Sequence, residues 1–120
     1  MSLDFSHKEF RNLLHVAADE IADLYESLDQ RKVFPDKTPE EIAEPYHQSL
    51  PDEGGDAESI IREAMKTISD RSTWNISSRF FAYVTSCGHQ AGILGDMLAA
   101  AINQNCGKWH IAPAAAEIEK

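Results

Sequence analysis

RFFAYVTSCGHQAGILGDMLAAAINQNCGKW, residues Arg79 to Trp109, joins an aromatic cluster to a small polar turn at Ser86 to His89, then to an apolar segment ending at Asn103. The opening run from Arg79 to Val84 is β-prone but short, and fits extended coil equally well. A helix over about 88–104 follows, in which Ile93, Leu94, Met97, Leu98, Ala101 and Ile102 form a broad apolar face. Ala99 and Ala100 leave little polar surface opposite, so the periodicity predicts a helix buried nearly all round. Aromatics feeding a polar elbow describe either one wall of a pocket or a plain loop capped by a buried helix.

Upstream, Asp56 caps a predicted helix over 56–70 whose apolar face is Ile61, Ala64, Met65 and Ile68. Before it, the polar, turn-rich run from Tyr46 to Gly55 is a surface linker. Thr38 and Glu41 form a capping box with Pro39 in the first turn, giving a short helix over 38–44 that Pro45 ends. Val33-Phe34-Pro35 is an extended connector, because proline fixes its own backbone and moves its predecessor out of the helical region.

The first helix, over 6–30, starts at a second capping box, Ser6 with Glu9. Phe10, Leu14, Ala17, Ile21, Leu24 and Leu28 recur at alternating spacings of four and three, widened by Leu13, Ala18 and Tyr25. Asp19, Glu20, Asp23 and Glu26 are expected to face water. A seam so close to a heptad suits packing against another helix, either a second copy of the chain or an internal core face. Downstream, Pro113 opens a helix over 113–120 that reaches barely two turns, so the expectation is an element cut short. The reading is a mainly α chain of four to five helices with short extended connectors. Residues 1–72 hold the first three helices, a helical dimerisation segment if that seam meets a second copy, and 73–120 supply a loop, a buried helix and the start of a truncated one.

The 120 residues fit one domain with a modest core. With 42% hydrophobic and 26% charged residues the chain belongs to the ordinary globular class. Its 20 acidic and 11 basic residues give a net charge of −9, which repels nucleic-acid phosphates and excludes nucleic acid as a partner. No apolar run approaches the roughly 20 residues that span a bilayer, and no signal-peptide pattern opens the chain, so no membrane association and a cytoplasmic location are expected. Cys87 and Cys106 read as two reduced thiols.

Cys87-Gly88-His89 places a thiol and an imidazole at a helix start, but no third group orients them, so no catalytic dyad is assigned. His7, His15, His47, His89 and His110 lack metal-ligand spacing, so no metal is expected. No phosphate-cradling glycine motif is present. Ser86, Cys87 and Gly88 offer backbone donors at a helix start, which serve an anionic ligand or an ordinary cap.

Arg79-Phe80-Phe81-Ala82-Tyr83, Gly92-Ile93-Leu94-Gly95-Asp96-Met97-Leu98, Asn103-Gln104-Asn105, Trp109 and Ala112-Pro113-Ala114-Ala115 through Glu119 together resemble the N-terminal region of group II pyridoxal-phosphate-dependent decarboxylases. The aromatic-L-amino-acid decarboxylases belong to that group. The capped first helix and the Pro39-Glu40-Glu41-Ile42 segment are similar as well. The resemblance implies the N-terminal segment of a fold-type-I pyridoxal-phosphate enzyme, an intertwined homodimer acting on an amino acid. It implies that Tyr83, Val84, Thr85 and Ser86 border the substrate pocket, that Asn105 and Lys108 reach the partner copy's site, and that Trp74 is a pocket tryptophan. Ser77-Ser78 replaces a His-Pro that often precedes the aromatic pair, and Val84-Thr85 replaces the Phe-Pro of aromatic-acid members. With polar Asn105, Gly107 and Lys108 where those members have bulky apolar groups, a smaller or acidic substrate is implied. The resemblance places the Schiff-base lysine, the aspartate that pairs with the pyridinium nitrogen and the ring-stacking histidine beyond Lys120. It therefore implies no catalytic residue in this chain, no cofactor bound to it alone and no decarboxylation by it alone. The competing expectation is a free-standing helical dimer that serves as an interaction module without catalysis.

Overall fold

The structure, a computed structural model, describes residues 4–119. Five α-helices and no strand occur among them: α1 His7–Ser27, α2 Pro39–Ala43, α3 Ala57–Ser69, α4 Gln90–Ile102 and α5 Pro113–Ile118. Lys120, where the last helix was expected to end, lies outside the described residues. Two compact units divide the chain, one running to Val84 and the other beginning at Thr85.

Local chemistry sets the helix starts. The Ser6 hydroxyl accepts the Glu9 N–H at 3.3 Å while the Glu9 carboxylate accepts the Ser6 N–H at 2.9 Å, so two orphan donors of the first turn are satisfied. Thr38 and Glu41 repeat the exchange at the start of α2. Asp56 accepts the Ser59 N–H at 2.8 Å at the start of α3. α1 passes into a 3-10 turn, Leu28–Gln30, and α2 into another, Glu44–Tyr46, where Pro45 enters.

In the first unit α1 packs against α3. Val16 of α1 and Leu28 of the 3-10 turn that follows it are buried. Leu13, Ala17, Ile21 and Leu24 are half-buried along the same side, as are Ile61 and Met65 of α3. The covered stripe is rotated from the expected one. Val16 stands at its centre, whereas Phe10 and Leu14 are 54% and 45% exposed. Glu20, expected to face water, is only half exposed and meets Arg62 of α3 at 2.5 Å; Arg62 also holds Glu58 at 3.0 Å. The rotation follows from the partner: α3 offers an arginine to one edge of α1 and a narrow apolar row to the next, and α1 turns to satisfy both. Arg71, just past α3, donates to the Glu41 carbonyl at 3.3 Å and ties α2 to the unit.

The second unit contains α4, a 3-10 turn Trp109–Ile111, and α5. His89 caps α4 by accepting the Ala91 N–H on its Nδ1, and Asn103 ends it in the left-handed region at φ 47°. The helix expected to be buried nearly all round is not covered within this chain. α4 is exposed along its length, with Ile93 alone half-buried and Leu94, Leu98 and Ile102 at 59%, 61% and 65%. A unit holding one further two-turn helix has too little apolar surface to cover it. Ala112, fully buried, is the unit's packed point.

Candidate functional site

The candidate wall begins at the end of α1. Arg31 turns the chain out of the 3-10 turn into extended backbone, and Val33, Phe34 and Pro35 follow as a short connector. Trp74 docks here: its N–H donates to the Val33 carbonyl at 2.8 Å, and the Arg31 guanidinium lies 5.7 Å from the centre of its ring. That spacing is within cation–π range. The same guanidinium donates from Nε to the Ser27 hydroxyl at 2.8 Å, which fixes its position over the indole.

Residues 74–80 curl through two turns rather than the short strand that remained open for Arg79 to Val84. The Ser77 N–H donates to the Trp74 carbonyl at 3.1 Å and the Phe80 N–H to the Ser77 carbonyl at 3.0 Å. Ser77 is buried and accepts the Arg79 N–H on its hydroxyl at 3.3 Å. These turns consume the donors a strand ladder would need. Phe80 is left 5.9 Å from Phe34 and 6.4 Å from Tyr83 between ring centres, both pairs tilted. Phe34, Phe80 and Tyr83 thus form a continuous aromatic row with favourable edge-tilted geometry.

The outer end of this row faces solvent. Tyr83 is 84% exposed, Phe81 92%, and Val84 fully exposed. Tyr83 also adopts φ 61°, a region that a bulky side chain enters at a cost. Of the first-unit site residues, Trp74 and Tyr83 therefore flank one anchored aromatic row, with Val84 beyond it.

In the second unit, Thr85 and Ser86 lie in the irregular run before α4, and both are exposed. Asn105 and Lys108 share one turn after α4. The Asn105 side-chain oxygen accepts the Gly107 N–H at 3.0 Å, and a side chain at Gly107 would meet that oxygen at 3.1 Å. Lys108 precedes the following 3-10 turn, and its carbonyl accepts the Ile111 and Ala112 N–H groups at 3.2 Å. Trp109 donates from its ring nitrogen to Glu117 at 2.8 Å, bracing that turn against α5. Cys87 and Cys106 are both free and exposed.

Arg31, Phe34 and Arg79 are the wall residues that pattern reading did not single out as site residues. Phe34 read as part of a connector, and Arg31 carried no sequence signal. Arg79 stood at the head of the aromatic motif, which marked its place but not its partner.

The pattern of the pyridoxal-dependent decarboxylase conserved domain matches residues 39–120. Tyrosine decarboxylase 1 of Narcissus pseudonarcissus is 31% identical over 112 residues, which cover 93% of this chain and 22% of that protein. Histidine decarboxylase of Drosophila melanogaster is 33% identical over 117 residues, covering 98% of this chain and 14% of that protein. The chain thus spans less than a quarter of the length of these relatives. Among solved structures, Catharanthus roseus tryptophan decarboxylase in complex with L-tryptophan is similar at a TM-score of 0.85 and 27% identity, over 98% of this chain and 25% of that one. Oryza sativa TDC with PLP is similar at 0.84 and 28% identity, over 96% and 24%.

Lys8, Lys32, Lys37, Lys66 and Lys108 are all exposed. Among the described residues no buried side-chain nitrogen or oxygen lacks a partner.

Proposed function

The chain belongs to the pyridoxal-dependent decarboxylase family, and from that premise we propose that it is the dimerising, pocket-lining N-terminal part of an amino-acid decarboxylase. The observation that carries this reading is the aromatic row, anchored at Trp74 and Phe34 yet turned outward at Tyr83 and Val84. A chain folding only for its own stability has no reason to hold a tyrosine in a left-handed backbone and expose its ring.

In this reading Trp74, Tyr83, Val84, Thr85 and Ser86 line the substrate pocket, and Asn105 and Lys108 reach the site of a second copy. Val84 and Thr85 are smaller than an aromatic-proline pair, and Asn105 and Lys108 are polar, which favours a smaller or acidic amino acid over an aromatic one. The cofactor, when bound, supplies the electron sink for loss of carbon dioxide. The wall residues orient the substrate and exclude water. The exposed edge of α1 at Phe10 and Leu14, with the bare face of α4, supports association with a second copy. The 120-residue chain by itself is inactive and retains no cofactor, since none of its lysines matches the family's Schiff-base lysine. With free thiols and a strongly acidic charge, the compartment proposed is the cytoplasm; no helix among the described residues is long and apolar enough to cross a membrane.

A panel of amino acids offered to the full-length protein tests the reading. Carbon dioxide release from a small or acidic amino acid supports it. Preference for tryptophan or tyrosine sinks the substrate assignment, and no release from any amino acid sinks the decarboxylase.

A further inference from the structure

Two segments far apart in the chain meet behind the aromatic row. From one side come Asp29, Arg31, Val33 and Phe34; from the other come Trp74, Ser78, Arg79 and Phe80. The Arg79 guanidinium donates from Nη2 to the Arg31 carbonyl. The Ser78 hydroxyl donates to the Asp29 carboxylate at 3.1 Å, and Trp74 contributes the backbone bond and ring contact already described. Arg31 is the hub, since its carbonyl takes Arg79 while its guanidinium covers Trp74.

Of these links Arg79 is the one that acts nearest the outward end. Its own N–H is turned onto buried Ser77, so backbone and side chain together fix the residue from which Phe80 to Tyr83 departs. The remaining contacts hold Trp74 and the turn behind it. Without the guanidinium, the ties that remain between residues 78–80 and the end of α1 with its connector are the Ser78 hydroxyl on Asp29 and the ring contact of Phe80 with Phe34. A charged donor on a carbonyl is stronger than a neutral hydrogen bond and is directional.

We propose that Arg79 is a positioning residue for the aromatic wall: by holding the Arg31 carbonyl it sets where Phe80 and Tyr83 stand, and thereby how tightly and how selectively the wall accepts a substrate. This rests on the assignment of the wall as pocket lining. Arg79 does not touch substrate. It acts through the backbone it orients.

The test uses the full-length protein with Arg79→Met, which keeps an aliphatic stem but no donor, and Arg79→Lys, which keeps a charged donor. Hydrogen exchange followed by mass spectrometry reads residues 74–83. Exchange there is expected to quicken by about tenfold in Arg79→Met and to return toward the parent in Arg79→Lys, with α1 and α3 unchanged. In the decarboxylation panel, KM for the accepted amino acid is expected to rise about threefold to tenfold in Arg79→Met, with kcat within about twofold and the ranking of substrates altered. Parent-like exchange at 74–83 overturns the proposal, as does a uniform fall in kcat with KM and ranking untouched. If the full-length protein decarboxylates nothing, the pocket assignment falls, and the anchoring role stands or falls on exchange alone.

Discussion

Tyr83 stores strain that its surroundings do not visibly repay. Its φ of 61° costs a bulky residue on the order of 1–2 kcal/mol, and its ring, 84% exposed, gains little from burial. Tyr83→Gly is therefore expected to leave stability unchanged or raise it by about 1 kcal/mol, measured by urea unfolding, while substrate ranking in the full-length protein changes. A clear loss of stability would show that the ring is packed more firmly than its exposure indicates. Titratable caps act at the same scale. Side-chain and backbone hydrogen bonds with Ser6 hold the Glu9 carboxyl below its ordinary range, and the backbone N–H of Ser59 does the same for Asp56. A carboxylate whose pKa is depressed by folding adds stability that is present in full above the unfolded pKa and is lost as pH falls through the folded one. Helicity should thus decline on acidification below about pH 4, and Glu9→Gln should flatten the part of that decline belonging to α1. Circular dichroism between neutral and acid pH, with parent and variant superimposable, would count against the cap's role.

At the scale of elements, the contact of α1 with α3 carries the first unit. Leu28, 8% exposed at the end of α1, is one of three buried apolar residues among those described. Leu28→Ala is expected to cost about 2–3 kcal/mol and to loosen the connector that bears Phe34, which thermal unfolding and near-ultraviolet dichroism would register; a shift of a few tenths would place the unit's stability elsewhere. Helix starts were legible in the sequence because their causes are three residues apart: Ser6 with Glu9, Thr38 with Glu41 and Asp56 with Ser59 all pair as the spacing implies. The face that α1 buries was only half legible, since Val16 and Glu20 take their places from α3, and Arg62 is 42 residues from Glu20. The aromatic residues of the wall were visible as composition. Their anchoring was not, because the bond from Arg79 to Arg31 joins positions 48 residues apart and no local pattern encodes it. For α4 the sequence carries the need and not the cover: periodicity reports what a helix needs to bury, not whether its own chain can bury it.

For the whole molecule, the balance of surface is the informative quantity. Leu94, Met97, Leu98 and Ile102 on α4 are each about half exposed or more, as are Phe10 and Leu14 on α1, and apolar area of that extent on a small chain favours association. Light scattering of the 120-residue chain at high micromolar concentration is expected to show a dimer or larger species, and Leu94→Glu with Leu98→Glu to reduce it; a monomer throughout would refute the expectation. The two exposed thiols add something practical. Cys87 lies just before α4 and Cys106 just after it, so this bare helix, about 20 Å long, carries a native labelling position near each end. A thiol-reactive dye added at intervals during assembly would time the covering of each end separately, making the order in which the helix is enclosed observable without altering a residue.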